Sequence, residues 1–194
     1  MAIQVAMIVP CTEAEGPGRR YAVWVQGCPL RCVGCCNPEM LEFRPADARE
    51  PADLVEQACA AGVEGVSLLG GEPFAHADAL APFAEAVRSR GLSVMIFSGY
   101  TLAELQGLPG EAPARLLAAA DLLVDGRFDA RQRSSRRRFI GSDNQVMHFL
   151  SSRYSPDDPR LQGPQTVELR LRGGELTLNG WPVLGPRTRL TESR

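Results

Sequence analysis

Residues 21–38 read YAVWVQGCPLRCVGCCNP, an apolar run that leads directly into a loop with spaced cysteines. The apolar run predicts a buried strand that stops at the glycine. Cys28, Cys32 and Cys35 then follow with C-x3-C-x2-C spacing. Ordinary electron-transfer clusters use one cysteine for each of their four irons, so three thiolates would leave one iron open. The stretch therefore predicts an iron–sulfur site at a strand end, with one iron able to bind a substrate directly.

Length and composition are typical of a globular enzyme with one main core. The chain has 194 residues, of which 44% are hydrophobic and 23% are charged. Its formal net charge of −2 gives no strong field that would select nucleic acid or an anionic membrane. The N-terminal apolar stretch lacks a signal-peptide layout, and no run reaches transmembrane length. We therefore expect a cytoplasmic protein that neither enters a membrane nor binds nucleic acid.

The density of cysteines has three interpretations. Four of the six cysteines lie between Cys28 and Cys36, and a reducing compartment favours metal or redox chemistry over disulfides. A structural zinc site would need a fourth ligand, and Cys36 is poorly placed for it because it adjoins Cys35. Neither histidine has zinc-finger spacing. We therefore favour iron–sulfur over zinc, read Cys59 as a core residue, and leave the role of Cys11 open.

Apolar runs alternate with helical patterns along most of the chain, which predicts βα units and a mostly parallel sheet. The predicted strands are 3–8, 21–26, 65–69, 93–97, 121–124 and 139–140, and the predicted helices are 53–61, 78–89, 102–106, 112–120 and 146–152. Residues 166–178 read as a β-hairpin. We predict an α/β fold: a partial (β/α) barrel of about six mostly parallel strands with a C-terminal β-hairpin extension. Residues 1–152 would form the core domain, and 153–194 a connection, the hairpin and a frayed tail (Gly185 to Arg194) packed on it.

Unusual motifs follow the predicted strands directly. Besides the cysteine loop, they are Gly70-Gly71-Glu72, Ser98-Gly99-Tyr100 and Asp125-Gly126. Ligands bind at the carboxyl ends of parallel strands, and parallel strands bring these loops to one edge of the sheet. Adjacent glycines let a backbone approach a ligand closely, and a carboxylate pairs well with an ammonium group. The sequence therefore predicts that these distant motifs form one site.

The combination of motifs resembles the radical S-adenosylmethionine (SAM) superfamily and, within it, the activating proteins of glycyl-radical enzymes. The resemblance covers roughly residues 1–152 and is carried, besides the cysteines, by five motifs: Gly16-Pro17-Gly18, Gly70-Gly71-Glu72-Pro73, Ser98-Gly99-Tyr100-Thr101, Val124-Asp125-Gly126-Arg127-Phe128 and Gly141-Ser142-Asp143-Asn144-Gln145-Val146. A set of this length in this order is far more specific than the cysteines alone.

The resemblance implies a role for each motif. Cys28, Cys32 and Cys35 would hold a [4Fe-4S] cluster whose open iron chelates the amino and carboxylate groups of SAM. The segment Gly70, Gly71, Glu72 and Pro73 would bind SAM at that amino group. Ser98 would face the ribose, Asn144 the later-strand edge of the site, and Asp125 would orient SAM or substrate, or serve as a turn residue.

The resemblance also implies partners. A flavodoxin or ferredoxin type donor would reduce the cluster, and a glycyl-radical enzyme, for which anaerobic ribonucleotide reductase is one candidate, would receive the radical. One alternative is a stand-alone radical SAM enzyme that modifies a peptide or small molecule. Another is a non-catalytic iron–sulfur or zinc protein, which would leave the glycine motifs unexplained.

Two features depart from the family pattern or lie outside the expected site. Cys36 stands where the activating proteins carry an aromatic residue, and it is read as a small apolar substitute or, less simply, as a spare thiol. Six arginines lie between Arg127 and Arg138. They could dock an acidic partner, but we favour a solvated, mobile loop.

Overall fold

The computed structural model describes residues 1–173 and 175–181. Within these ranges it has nine strands and four α-helices: β1 (Ile3–Thr12), β2 (Arg20–Val25), β3 (Asp47–Arg49), α1 (Pro51–Ala60), β4 (Gly65–Gly70), α2 (Ala77–Ser89), β5 (Ser93–Phe97), α3 (Leu102–Gln106), α4 (Glu111–Ala119), β6 (Leu122–Asp125), β7 (Val146–Phe149), β8 (Val167–Arg172) and β9 (Glu175–Gly180). The tail predicted from Gly185 to Arg194 lies outside the described residues. None of the described helices is both long and apolar enough to cross a membrane.

Seven strands form the central sheet in the order β3-β1-β2-β4-β5-β6-β7. The four middle strands are parallel and in register, through pairs such as Val23↔Leu68 and Ile96↔Leu123. Strands β1, β3 and β7 extend the sheet antiparallel at its two sides. The mixed α/β fold with a mostly parallel centre is confirmed, and so is the C-terminal hairpin of β8 and β9. The described strands pair as an open sheet, in which barrel closure is not seen.

Two predicted elements were wrong, and strand β3 was missed. The segment predicted as a helix at 146–152 begins instead with β7, which pairs antiparallel with β6 through Leu123↔His148. A short apolar stretch fits the period of a helix and that of a strand. Here it becomes a strand because it pairs with the otherwise open edge of β6. The strand predicted at 139–140 is a turn, because Phe139 has φ 62 and the Ile140 N–H donates to the carbonyl of Arg137.

Side chains of the parallel strands alternate between two buried faces, as the period of a strand requires. One face packs against the helices, where each buried leucine or phenylalanine contributes about 2 kcal/mol; this cluster includes Val23, Val66, Leu68, Val94, Ile96, Leu54, Leu80, Phe83 and Leu116. On the opposite face, Trp24 and Leu69 pack with Val9 and Met40, whereas Met95 packs with later residues such as Tyr154. Trp24 is therefore a packing residue.

The amino ends of the parallel strands are closed by a polar network around Arg20, which is fully buried. Its guanidinium donates to Ser67 Oγ (3.2 Å), Ser93 Oγ (2.5 Å), Tyr154 Oη (3.2 Å) and the carbonyl of Val66. The Tyr154 hydroxyl donates in turn to Glu64 Oε1 (2.7 Å). Burial lowers the pKa of Arg20. The network ties residues that follow β7 to three strands of the core.

The hairpin is fastened to the end of β1 and to the loop that follows it. The Asn179 side-chain amide donates to Thr12 Oγ1 (2.8 Å), and the Gly180 N–H donates to Glu15 Oε1 (2.6 Å). Glu15 is buried, and this burial raises its pKa to about 7. A buried carboxylate therefore lies at the contact between the hairpin and the sheet.

Candidate functional site

Four loops meet at the carboxyl edge of the parallel strands, as their positions in the sequence predicted. The Gly71 N–H donates to the carbonyl of Val25 (2.8 Å), and the Glu72 N–H donates to that of Gly27 (3.0 Å). These bonds join the loop after β4 to the cysteine loop. The loops after β5 and β6 are joined in the same way, through Ser98 N to Val124 O (2.9 Å) and Gly126 N to Tyr100 O (3.0 Å).

Two glycines let the first two of these loops approach each other. A Cβ atom on Gly71 would lie 2.3 Å from the carbonyl oxygen of Gly27. Gly70 has φ +106, and its Cβ would lie 2.6 Å from the backbone nitrogen of Val25. Any larger residue would force the strand end away from the cysteine loop. The glycines thus hold Gly70-Gly71-Glu72 directly against the start of the loop that carries Cys28.

The three spaced cysteines lie on an open loop at this edge. Cys28 is buried, whereas Cys32 and Cys35 are partly exposed. The Cys28 N–H donates to the carbonyl of Leu41 (3.0 Å), and the Cys35 N–H donates to that of Cys32 (3.2 Å). In the part of the chain that the structure describes, no three His, Cys, Asp or Glu side chains converge on one metal ion. In an iron–sulfur cluster each iron takes a separate thiolate.

The thiols of the loop differ in how readily they lose a proton. A hydrogen bond from the Cys36 thiol lowers the pKa of Cys35 to about 6, and the same bond raises the pKa of Cys36. Burial raises the pKa of Cys28, although the N–H groups of Leu30 and Arg31 oppose it. The thiolate is the form that binds metal, and a lowered pKa favours it at Cys35.

Glu72 links the loops that follow β4 and β5. Its side chain is 1% exposed, and this burial raises its pKa to about 7. Oε1 accepts hydrogen bonds from Ser98 Oγ (2.9 Å) and the Phe74 N–H (3.0 Å), and Oε2 accepts one from the Gly99 N–H (2.8 Å). Pro73 is buried where it begins the next helical turn. Glu72 and Ser98 thus lie side by side, and the Ser98 hydroxyl and two backbone N–H groups hold the Glu72 side chain in place.

Asp125 and Asn144 lie at the β6 side of the edge. Asp125 is buried, and its Oδ2 accepts a hydrogen bond from the Leu102 N–H (2.6 Å) at the start of α3. His148 Nε2 is 2.9 Å from the same oxygen but lacks the angle for a hydrogen bond. Asn144 is exposed, and its amide donates to the carbonyl of Arg127 (2.8 Å).

Sequence reasoning did not single out Gln145, which holds this side of the site together. Its amide nitrogen donates to the carbonyl of Gly126 (2.7 Å), and its amide oxygen accepts from the N–H groups of Gly141 and Ser142 (both 3.0 Å). Gln145 thereby joins the loop after β6 to the segment before β7. The only signal for it was its place within the last of the motifs quoted above.

Comparison with known proteins agrees with this arrangement. A family model described as a 4Fe-4S single cluster domain matches residues 14–148. The anaerobic ribonucleoside-triphosphate reductase-activating protein of Vibrio cholerae is 31% identical over 150 residues, which are 72% of this chain and 93% of that protein. The protein of the same name from Escherichia coli K12 is 26% identical over 150 residues, or 73% and 95% of the two chains.

A shorter match extends to a second kind of activating enzyme. The pyruvate formate-lyase-activating enzyme of Listeria monocytogenes is 33% identical over 90 residues, which are 43% of this chain and 36% of that enzyme. The family model covers well over half of the chain and includes the cysteine loop and the edge of the sheet described above. The chain therefore belongs to the glycyl-radical enzyme activating proteins of the radical SAM superfamily, and it carries their 4Fe-4S single cluster domain.

Proposed function

We propose that this enzyme reductively cleaves SAM at a [4Fe-4S] cluster held by Cys28, Cys32 and Cys35. The resulting 5′-deoxyadenosyl radical installs a glycyl radical on a partner enzyme, such as an anaerobic ribonucleoside-triphosphate reductase. The observation that carries the proposal is the contact between the cysteine loop and the glycine motif. The Glu72 N–H donates to the carbonyl of Gly27 (3.0 Å), one residue before Cys28. A ligand bound beside the cluster would therefore lie against Gly70 and Gly71.

The cluster, when bound, supplies the electron that splits SAM into methionine and the deoxyadenosyl radical. The chain's own residues hold and orient the reactants. Gly70 and Gly71 offer backbone close to the cluster without side chains in the way. The carboxylate of Glu72 offers a negative charge to the SAM ammonium group, which would lower the raised pKa of Glu72 and ionise it. Pro73 fixes the turn that follows.

Ser98, Asp125 and Asn144 complete the proposed SAM-binding edge. The Ser98 hydroxyl already donates a hydrogen bond to Glu72, and Asp125 already accepts one from the N–H of Leu102 at the start of α3. These two residues would therefore shape the ribose side of the site chiefly through the loops that they hold. Asn144 is exposed beside the loop after β6, where its side chain can reach a bound ligand or the partner.

The overall reaction balances without a protein acid or base. A flavodoxin or ferredoxin type donor gives one electron, and SAM yields methionine and the radical. The radical takes one hydrogen atom from a glycine Cα of the partner, leaving 5′-deoxyadenosine and a glycyl radical. The relatives from Vibrio cholerae and Escherichia coli support this choice of partner through their names and their matching length.

The cleavage step is tested with anaerobically reconstituted protein, SAM and dithionite. We expect methionine and 5′-deoxyadenosine in equal amounts from the wild type and none above background from Cys32→Ala. Cys59→Ala is the matched control, since Cys59 lies on α1, away from the loop, and should behave as wild type. A wild-type protein that forms no more product than Cys32→Ala would sink the proposal.

The partner step is tested by electron paramagnetic resonance of an anaerobic ribonucleotide reductase after incubation with the active protein and SAM. A glycyl-radical doublet is the expected signal. SAM cleavage without a doublet would instead favour the alternative enzyme, which modifies a peptide or a small molecule.

A further inference from the structure

The basic segment, residues 127–138, is the most strongly charged stretch of the chain. It contains six arginines and one aspartate, in a protein whose formal net charge is −2. Two of the arginines are neutralised locally, since Arg127 pairs with Glu104 (2.9 Å) and Arg131 with Asp129 (2.9 Å). In the described part of the chain, the other four form no ion pair: Arg133, Arg136, Arg137 and Arg138. Of these, Arg133 and Arg136 are exposed, so their charge is available to a ligand or partner.

Hydrogen bonds hold the segment in a defined turn on the surface. The Ser134 N–H donates to the carbonyl of Gly141 (3.1 Å), and the Asp143 N–H donates to that of Gln132 (2.7 Å). Arg137 Nη1 donates to the carbonyls of Asp143 and Gln145, both at 3.0 Å. Arg133 and Arg136 remain exposed. A surface whose charges sit on an ordered turn loses less conformational entropy when it binds.

The basic segment also borders the candidate site. A Cβ atom on Gly34, between Cys32 and Cys35, would lie 3.0 Å from the Cβ of Ala130. At the other end, the Arg127 guanidinium lies 5.8 Å from the centre of the Tyr100 ring, in the loop after β5. The segment therefore lies along one side of the carboxyl edge. A molecule that reaches the cysteine loop from this side must pass the arginines.

We propose that the basic segment docks an acidic stretch of the protein substrate next to the glycine that reacts. The proposal rests on the function proposed above, because a radical formed at this edge reaches a glycine only if the partner chain is held there. Arginine forks match carboxylates in planar, two-point hydrogen bonds. Single-stranded nucleic acid would also need exposed rings for stacking. Both aromatic residues of this region are engaged within the protein: Phe139 is buried, and Phe128 packs on Trp181 with ring centres 5.1 Å apart.

The test is fluorescence anisotropy with three labelled probes of equal length: a glutamate-rich peptide, the same peptide with glutamine for glutamate, and oligothymidine. The full chain binds the acidic peptide, and added salt weakens binding because the contacts are exposed. Arg133→Glu/Arg136→Glu is expected to weaken binding of this peptide about tenfold or more. These two side chains are exposed, so the turn held by Arg137 stays intact. Arg153→Glu is the matched control, since Arg153 is exposed beyond the far end of β7, and it should change binding less than about twofold.

Independent readouts separate this proposal from the proposed function. SAM cleavage with dithionite and no partner is expected to be the same in the double variant and the wild type, whereas the glycyl-radical yield on the reductase falls about tenfold. Equal peptide binding by wild type and double variant overturns the docking surface even where SAM is cleaved. Oligothymidine bound more tightly than the acidic peptide overturns it in favour of nucleic acid. Acidic-peptide binding that the double variant loses supports it even if no SAM is cleaved.

Discussion

At the amino ends of the parallel strands, the fully buried Arg20 fills the space with a side chain bonded to four neighbouring groups. At the carboxyl ends, Gly70 and Gly71 have no side chains, so their backbone lies directly against the backbone of Val25 and Gly27. One edge is closed by a network of buried, hydrogen-bonded polar groups. The other holds the cysteine loop and the glycine motif directly against each other.

This contrast separates stability from function along the same four strands. Buried polar groups that are fully bonded make a unique and rigid arrangement, so the Arg20 edge is suited to fixing the register of the sheet. Ligands of open parallel sheets bind at the carboxyl edge, where this chain has its cysteines and glycines. Changes at the two edges should therefore have different consequences, one for activity and the other for folding.

Gly71→Ala is expected to have the largest effect on activity. Its Cβ would lie 2.3 Å from the Gly27 carbonyl, so the strand end and the start of the cysteine loop must separate. We expect lower iron and sulfide content after reconstitution and a loss of SAM cleavage of about 100-fold, as a misplacement of about 1 Å can produce. Both are measured on the purified protein, by metal analysis and by 5′-deoxyadenosine formation.

Gly107→Ala is the control for the loss of a glycine. Gly107 has φ −93, and the nearest atom to its Cβ would be the Glu104 carbonyl oxygen at 3.5 Å, an ordinary contact. It should keep wild-type cluster content and rate. Full activity in Gly71→Ala would mean that close approach of the two loops is not what the site requires.

Arg20→Met is expected to have the largest effect on folding. The substitution keeps much of the volume but leaves the bonded hydroxyls and a carbonyl without their donor, which should lower the free energy of unfolding by about 3 kcal/mol. Folded molecules should still cleave SAM at about the wild-type rate, since the network lies at the opposite edge. Denaturant unfolding and the cleavage assay measure the two quantities on one preparation.

Arg20→Lys retains one charge and fewer donors, so its stability should fall between those of wild type and Arg20→Met. Arg153→Met, an exposed arginine beyond the same end of the sheet, should change stability by less than about 0.5 kcal/mol. A folded Arg20→Met protein with little SAM cleavage would show that the two edges of the sheet are coupled. Stability and activity would then not be separated between them.

The sequence predicted the carboxyl edge far better than the amino edge. Residues 93–97 and 102–106 were placed as the structure has them, because a continuous apolar run and a capped helical pattern have little ambiguity. The meeting of the cysteine loop with Gly70-Gly71-Glu72 followed from parallel strands alone. Local sequence patterns were therefore enough to predict the loops that directly follow the parallel strands.

What the sequence did not predict depends on contacts between distant residues. Arginine is almost never fully buried unless it is paired, so nothing marked Arg20 as a core residue until its partners were seen. The bonds of Glu72 to Ser98 and Gly99 join loops 26 and 27 residues apart. Likewise, β7 is a strand rather than a helix because β6 offers it an edge. In each case, contacts between residues distant in the sequence outweigh the local structural preference.

The smallest expected effect concerns Glu15, a third buried polar position that belongs to neither edge. Burial raises its pKa to about 7 from 4.5, and the neighbouring charges are Glu168, which raises it, and Arg170, which lowers it. Because the folded state holds the proton more tightly than the unfolded one, the stability that Glu15 contributes is greatest at low pH. It should fall as the pH rises from about 5 to 8 by on the order of 2 kcal/mol.

Glu15→Gln tests this by removing the titrating group while keeping an oxygen that can accept the Gly180 N–H. Glu72 has a similarly raised pKa, so the wild type retains part of its pH dependence and only the difference between the two proteins reports on Glu15. Unfolding by denaturant at pH 5 and pH 8 should show a smaller loss for Glu15→Gln than for wild type. Equal losses would mean that Glu15 does not hold a proton in the folded protein, and that the hairpin is fastened by an ionised carboxylate at every pH in this range.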